Sequence, residues 1–314
     1  MKKFFIAAIF LLTSCSSTPP TAVVESISTL PPTSTAVVIP SATAEIIPPT
    51  VTVIPSIEPQ TFRSSSIDGM PQVYISAGTF RMGGMDARRA PDEVPVHEVT
   101  LDAFWMDQLE VTNAMYALCV STGACELPQS TESQRRFDYY ENLEFKDYPV
   151  VYVTWGQAIM YCEWADRRLP TEAEWERAAR GDDFRTFPWG EDKADWRFAN
   201  FNMLVTDTSR AGSYLMGAST FGVLDMSGNV AEWTNDFYDF DYYLTSPSMN
   251  PLGPETSSSL NRVVRGGSLG DAEINIRVSK RSSVRGSNLS AAPDSTAYLG
   301  DFSPRIGFRC AMDQ

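Results

Sequence analysis

The sequence predicts a mixed α+β domain with little regular secondary structure. Two helix starts are evident, at Thr154 and Thr171, and two short β-type segments precede them. After Gly181, more than a hundred residues follow without sustained periodicity, and they are rich in Gly, Pro, Asn, Asp and aromatic residues. Because these small and polar residues favour turns, most of this part is predicted to be loop with short strands.

The two β-type segments span residues 73–80 and 96–101. Both are rich in β-branched and aromatic residues and alternate in part between apolar and polar side chains. Proline and glycine residues separate them, so the two segments are predicted to pair. A helix is then predicted to begin after Thr112, which can act as its N-cap, and to extend to about Val120.

Capping boxes mark the starts of two further helices. In the first box Thr154 is followed three residues later by Gln157, and in the second Thr171 is followed by Glu174. In such a box the two side chains satisfy backbone N–H groups that the first helical turn leaves free. The second helix is predicted to end at Gly181.

The first fifteen residues are typical of a bacterial lipoprotein signal peptide. Lys2 and Lys3 precede an apolar stretch, and a short segment of small residues leads into Cys15. The apolar stretch is too short to span a bilayer. Cys15 is therefore predicted to carry a lipid that holds the protein on a membrane outside the cytoplasm. The alternative is an ordinary signal peptide with an incidental cysteine.

Residues 16–69 are predicted to be a disordered stalk, and residues 70–314 a single folded domain. More than half of residues 16–60 are Ser, Thr or Pro, and none is Lys, Arg, Gly or aromatic. Such a segment cannot bury enough apolar surface to offset the entropy lost on ordering. The remaining residues suffice for one core that needs neither metal nor disulfide in order to fold.

The charge of the chain excludes some classes of partner. The formal net charge is −14, which argues against nucleic acid and anionic lipid as ligands but is compatible with cation binding. His97 is the only histidine, so three-histidine iron sites and histidine-rich zinc sites are excluded. Because His97 lies within a strand pattern, a structural role is predicted for it.

Apart from Cys15 the chain has an even number of cysteines. In an oxidising compartment an even set is expected to form disulfides, although buried free thiols are the alternative. The residues alone do not decide the pairing. The four cysteines are Cys119, Cys125, Cys162 and Cys310.

Three segments occur in a fixed order along the chain. They are RLPTEAEWERAARG at residues 168–181, GVLDMSGNVAEW at 222–233, and a third that begins with RGGS at 265–268 and ends with GFRC at 307–310. Their order and content resemble the sulfatase-modifying-factor family, whose founding members are formylglycine-generating enzymes. The likeness extends from about Val73 to Cys310.

The resemblance implies a C-type-lectin-like fold, low in regular structure and stabilised by aromatic packing and bound cations. Six of the seven tryptophans lie between Trp155 and Trp233, and they are predicted to be core residues. The family also implies a disulfide between Cys162 and Cys310, which would leave Cys119 and Cys125 to form a local one.

The segment from Asp225 to Glu232 is the best metal-site candidate. Its two carboxylates can converge only if the chain between them curls, and Gly228 lies within a sequence that favours turns. Oxygen ligands of this kind suit Ca²⁺. In the family the matching positions bind calcium through two side chains, here Asp225 and Glu232, and through two carbonyls, here Gly228 and Val230. A plain turn capped by Glu232 is the alternative.

A second calcium site is implied less completely. Asn200 and the carbonyl of Phe201 match family ligands, but Asp207 lies several positions away from the expected acidic partner. The motif for this site is therefore only half present.

The catalytic cysteines of the family are absent. In formylglycine-generating enzymes two cysteines, three and eight residues after the serine of RGGS, bind copper(I) and oxidise a substrate cysteine with oxygen. At these distances from Ser268 the chain has Asp271 and Ile276. Because copper(I) requires soft thiolate ligands, copper is not expected here and no catalytic residue is assigned.

Charged residues near positions 271 and 276 suggest that this part of the chain serves a different function. Asp271 together with Arg265, Arg277 and Arg281 could bind a polar ligand such as a peptide or a glycan. The alternative is that the arginines are buried and pair with carboxylates inside the domain.

The sequence therefore predicts a lipid-anchored, extracytoplasmic domain that binds a ligand or partner and is stabilised by calcium. The partner would be a peptide, a glycan or an envelope protein, and nucleic acid is excluded. Two alternatives remain, namely a formylglycine-generating oxidase that acts on the cysteine of sulfatases, and a structural envelope scaffold.

Overall fold

The computed structural model describes residues 61–291 and 299–314. The predicted signal peptide, the lipidation site Cys15 and the stalk up to residue 60 lie outside the described residues. Within the described part of the chain, no helix is both long enough and apolar enough to cross a membrane.

The described residues form two four-stranded sheets, one two-stranded sheet and three α-helices. The helices are α1 (Asn113–Thr122), α2 (Trp155–Trp164) and α3 (Glu172–Arg180). The strands are β1 (Phe62–Ser64), β2 (Pro71–Ile75), β3 (Gly78–Met82), β4 (His97–Leu101), β5 (Phe104–Asp107), β6 (Ala231–Phe237), β7 (Asn261–Arg265), β8 (Ser282–Arg285), β9 (Ile306–Phe308) and β10 (Ala311–Asp313). Short 3₁₀ turns lie at Pro91–Glu93, Leu143–Phe145, Leu215–Gly217, Tyr242–Leu244 and Glu273–Asn275.

The sheets bring together parts of the chain that are distant in sequence. The first sheet has the order β1-β2-β5-β10, so the C-terminal strand pairs with strands from the start of the domain. The second consists of β3 and β4, and the third has the order β8-β7-β6-β9. In the third sheet β6 and β9 are parallel, and the other pairs are antiparallel.

The folded domain begins before residue 70, so the predicted end of the stalk is wrong. β1 pairs with β2 in the register Phe62↔Val73. The carboxylate of Asp68 forms an ion pair with Arg167, and both side chains are buried. Backbone pairing and this ion pair place residues 61–69 within the domain.

The predicted pairing of the first two β-type segments is correct only in part. The segment 73–80 contains parts of two strands, β2 and β3. β3 pairs with β4 in the register Gly78↔Leu101, as expected, but β2 pairs with β5. Residues 76 and 77 interrupt the extended conformation between β2 and β3, and the two strands join different sheets.

The helix predictions are confirmed. The side chain of Thr112 caps α1, and both predicted capping boxes are formed, at Thr154 and at Thr171. α3 ends at Gly181, whose N–H donates to the carbonyl of Arg177. Local sequence therefore determined all three helix starts.

The core consists of aliphatic and aromatic side chains together with several arginines, which are unusual in a protein core. Trp155, Trp175 and Trp233 are buried as predicted. Trp196 is not, since 71% of its surface is exposed. Five arginines rank among the largest fully buried side chains, and each requires a carboxylate or carbonyl partner. They are Arg177, Arg265, Arg277, Arg281 and Arg309.

Two disulfides form, with the pairing that the family resemblance implied. Cys162 of α2 is bonded to Cys310, which follows β9. Cys119 near the end of α1 is bonded to Cys125. All four cysteines are buried.

Candidate functional site

The segment Ser268–Asp271 forms a tight turn after β7. Its last residue, Asp271, stands at the position of the first of the two family cysteines. Gly266 and Gly267 precede the turn with φ angles of 87° and 64°, which residues with a Cβ rarely adopt. The backbone N–H and the hydroxyl of Ser268 both donate to Oδ2 of Asp271, at 2.8 and 2.7 Å. The carboxylate of Asp271 therefore stabilises the turn by accepting both hydrogen bonds from its first residue.

Ile276 is part of the core. It is fully buried in an apolar cluster that includes Phe187, Ala194, Ala199 and Phe201. Its carbonyl accepts a hydrogen bond from the hydroxyl of Ser227 at 2.7 Å. The second family cysteine is therefore replaced by a packed alkyl side chain.

A neighbouring loop covers the Ser268–Asp271 turn. The N–H of Asn202 donates to the carbonyl of Asp271 at 2.8 Å, and the N–H of Met203 donates to that of Leu269 at 2.7 Å. Asn202 and Met203 both have positive φ angles, of 49° and 57°. The chain thus bends sharply at this point to reach the turn.

Arg265 and Arg281 are buried ion-pair partners, so their predicted role in ligand binding is wrong. Both donate to Glu172 on α3, Arg265 at 2.9 Å and Arg281 at 2.8 Å, and Arg265 also pairs with Glu176 one helical turn later. Burial alone would raise the pKa of Glu172, but Arg281 and Arg265 hold it below its ordinary value. Both guanidinium groups are engaged in ion pairs within the core, so they do not face a ligand.

Arg277 is likewise occupied. Its two terminal nitrogens each donate to the carboxylate of Glu93 at 2.8 Å, and Nε donates to the carbonyl of Ile274. Burial opposes ionisation of Glu93, yet the hydrogen bonds from Arg277 keep its pKa below the usual range. Of the four residues predicted to bind a ligand, only Asp271 is partly exposed, and its carboxylate is bonded to Ser268.

The predicted calcium segment curls as expected. Asp225, Gly228 and Asn229 all have positive φ angles, between 57° and 81°. Oδ2 of Asp225 accepts a hydrogen bond from the N–H of Gly212 at 2.6 Å. Glu232 is already engaged, because its carboxylate accepts hydrogen bonds from Arg309 and from Nε1 of Trp175, all at 2.7 Å.

Glu110 joins this segment, although no sequence pattern connected it with Asp225. Its carboxylate accepts from Nδ2 of Asn229 at 2.8 Å and from the N–H of Val230 at 3.3 Å, and it is fully buried. Burial, followed by repulsion from Asp225 and Glu232, raises the pKa of Glu110 well above its ordinary value. Burial also raises the pKa of Asp225 to about 6.

Arg309 pairs with Glu232, and its charge also favours ionisation of the two other buried carboxylates, Glu110 and Asp225. Their oxygen chemistry and excess negative charge fit Ca²⁺. Among the described residues, however, no three acidic, histidine or cysteine side chains converge as a metal-binding group. Calcium binding therefore stays a prediction, with Glu110 added to the candidate residues.

The second predicted calcium set connects loops by hydrogen bonds. Nδ2 of Asn200 donates to the carbonyl of Asp207 at 2.9 Å, and the carbonyl of Asn200 accepts from Asn229. Phe201 packs into the apolar cluster around Ile276. The carboxylate of Asp207 accepts from the hydroxyl of Ser133 and from two backbone N–H groups, so the described protein donors already occupy it.

The comparison with known families agrees with these features. The sequence profile of the sulfatase-modifying factor enzyme 1-like domain matches residues 58–314. The chain belongs to the sulfatase-modifying-factor family. A formylglycine-generating enzyme of Streptomyces coelicolor is 32% identical over 296 residues, which cover 77% of this chain and 89% of that enzyme.

Other relatives of this sulfatase-modifying-factor protein differ in architecture. The serine/threonine-protein kinase Pkn1 of Chlamydia trachomatis is 36% identical over 255 residues, which cover 77% of this chain but only 38% of the kinase. The chain thus spans about two fifths of the length of this curated relative. The structure of PvdO from Pseudomonas aeruginosa superposes with a TM-score of 0.66 at 28% identity and covers 82% of this chain and 99% of PvdO. The fold is C-type-lectin-like.

Proposed function

We propose that this sulfatase-modifying-factor domain binds a ligand or partner and does not oxidise cysteine. The observation that carries the proposal is the occupation of the two copper-ligand positions by Asp271 and Ile276. Asp271 is hydrogen-bonded to Ser268, and Ile276 lies in an apolar cluster. Carboxylate and alkyl groups do not replace the thiolates that copper(I) requires.

The cysteine inventory supports the same conclusion. The chain has five cysteines, and four of them form the two disulfides. The fifth, Cys15, lies in the predicted lipoprotein signal. An oxidase mechanism would therefore have to recruit a cysteine from a disulfide or use ligands other than thiolates.

We also propose that the domain is lipid-anchored and faces an oxidising compartment outside the cytoplasm. The short apolar stretch before Cys15 supports the anchor. The two buried disulfides support the compartment, because cytosolic reductants keep most thiols reduced. Calcium is proposed as a structural ion near Asp225, supported by the excess of buried carboxylates there.

Mass spectrometry tests the non-oxidase function directly. The protein is incubated with copper, oxygen and a reduced peptide that contains the sulfatase-type motif Cys-x-Pro-x-Arg. The formylglycine-generating enzyme of Streptomyces coelicolor, treated in parallel, is the positive control. We expect cysteine-to-aldehyde conversion with the control enzyme alone, and turnover by this protein above a protein-free blank would refute the proposal.

A further inference from the structure

A surface groove of about 780 Å³ lies on one side of the domain. It is lined by Arg136 and Tyr148 and by residues 196–197, 204–205, 208–210 and 213–216. Five large apolar side chains line this groove and remain exposed. They are Trp196, Leu204, Val205, Leu215 and Met216.

The exposure of these side chains requires an explanation. Trp196 and Leu215 expose 71% and 73% of their surface, respectively, although each could stabilise the fold if it were buried. Contiguous apolar surface of this kind on a folded domain marks a site of interaction. A concave shape lined by apolar and aromatic side chains is typical of a binding site.

The charged side chains that line the groove are basic, whereas the chain as a whole is acidic. The chain has 39 acidic residues and 25 Lys and Arg. The described lining of the groove nevertheless includes three arginines, Arg136, Arg197 and Arg210, and no carboxylate. An anionic ligand would therefore be favoured in this groove.

The arginines of the groove form ion pairs but keep N–H groups that a ligand could reach. Each of the three arginines pairs with a carboxylate that does not line the groove: Arg136 with Asp207 at 3.6 Å, Arg197 with Asp195 at 2.7 Å and Arg210 with Asp147 at 3.1 Å. Arg197 and Arg210 expose about half or more of their side chains, whereas Arg136 is mostly buried. Ion pairs this exposed are weak, so the remaining N–H groups are available to a ligand.

The groove is connected to the Ser268–Asp271 turn. Met203, which bonds to Leu269 in that turn, immediately precedes the groove residue Leu204. A ligand in the groove would therefore lie close to the part of the chain where the family carries its copper site. The inference rests on the proposed function and specifies the class of ligand.

We propose that this groove binds a peptide segment of a partner protein in which a large apolar side chain lies between acidic residues. The apolar side chain would pack against Trp196, Leu204 and Leu215, and the acidic residues would pair with Arg197 and Arg210. The sulfatase-type motif carries an arginine, which this groove would repel. The concavity favours an inserted side chain over a flat membrane surface.

Selection from a random dodecapeptide phage library tests the proposal. The bait is the full-length protein with Cys15→Ser, so that no acyl chain contributes. We expect enrichment of peptides in which Leu, Phe or Trp is flanked by Asp or Glu. The affinity of a selected peptide, measured by fluorescence polarisation, should fall at least about tenfold in Leu215→Asp and in Arg210→Gln.

Two matched variants outside the groove serve as controls. Leu244→Asp changes a leucine that is 67% exposed and, like Leu215, lies in a 3₁₀ turn. Arg285→Gln changes an exposed arginine that is paired with Asp301. Both controls should retain the wild-type affinity, which separates loss of groove contacts from a general effect of surface substitution.

Three results would overturn the proposal: no enrichment over the bare support, enrichment of basic peptides, or retention of the peptide by both groove variants. A fourth is binding to vesicles of phosphatidylglycerol and phosphatidylcholine, weakened in Leu215→Asp, without any selected peptide, because this would identify a membrane-binding face. Selection needs neither copper nor oxygen. Its failure would reject the groove and leave the non-oxidase function standing, whereas formylglycine formation would reject that function.

Discussion

Arg309 and Glu232 form a bidentate ion pair in which both side chains are buried. Nε of Arg309 donates to Oε2 of Glu232, and Nη2 donates to Oε1, each at 2.7 Å. Arg309 also donates to the carbonyls of Asp107, Gln108 and Leu224. One side chain from the C-terminal GFRC segment thus joins β5 to the segment at 222–233.

Replacement of Arg309 by Gln should destabilise the domain strongly. Loss of the guanidinium leaves the carboxylate of Glu232 buried without its cation, and breaking a buried pair in this way costs about 3–5 kcal/mol. The free energy of unfolding, measured by urea denaturation with tryptophan fluorescence, should fall by this amount. Arg285→Gln, which breaks a pair with both side chains exposed, should cost at most about 1 kcal/mol. Equal losses of unfolding free energy in the two variants would contradict a stabilising role for the buried pair of Arg309 and Glu232.

The buried carboxylate of Asp225 should make stability depend on pH. Burial raises its pKa from 3.8 to about 6, so between these values the folded state retains a proton that the unfolded state has released. The contribution of Asp225 to stability therefore falls as the pH rises from about 4 to about 6, by about 3 kcal/mol in all. Relative to wild type, Asp225→Asn should become more stable over this range. A constant difference between the two proteins would contradict the prediction.

Calcium should counteract this loss. A cation near Asp225 would replace the missing proton at neutral pH, and a ligand at 100 times its dissociation constant stabilises the native state by about 2.7 kcal/mol. Excess chelator should therefore lower the melting temperature of the wild type at pH 7, and have less effect on Asp225→Asn. If chelation leaves the wild-type melting curve unchanged, calcium is not bound there.

The two disulfides should contribute unequally. Cys162 and Cys310 are 148 residues apart in sequence, and Cys119 and Cys125 only 6. Because a longer closed loop restricts the unfolded chain more, the chain-entropy model gives roughly 5 kcal/mol for the first and roughly 2 kcal/mol for the second. Denaturation of the Cys162→Ala/Cys310→Ala and Cys119→Ala/Cys125→Ala double variants should show this order. The reverse order would rule out loop closure as the main source of the stabilisation by the disulfides.

The lipid anchor is tested by substitution of Cys15. Cys15→Ser removes the thiol that would be acylated, so the protein should move from the membrane fraction to the soluble extracytoplasmic fraction. Immunoblots of the separated fractions measure this change. Ser14→Ala, which keeps the cysteine, is the control and should stay with the membrane. Membrane retention of the Cys15→Ser protein would show that something other than a lipid on Cys15 holds it there.

Short-range signals in the sequence predicted the helices correctly. Thr112, Thr154 and Thr171 cap their helices because capping depends on residues only three positions apart. The family segments predicted the fold class and the disulfide between Cys162 and Cys310. The missing thiolates at 271 and 276 were also visible in the sequence, because residue identity at a known spacing needs no coordinates.

Only the tertiary structure decided where the charged and aromatic side chains lie. Arg265, Arg277 and Arg281 could have faced a ligand, and their burial depends on carboxylates such as Glu93, about 180 residues away in sequence. The same applies to Glu110 beside Asp225, and to Trp196, which is exposed in the groove although composition predicted a core residue. Burial and ion pairing depend on contacts between distant segments, and no local pattern specifies them.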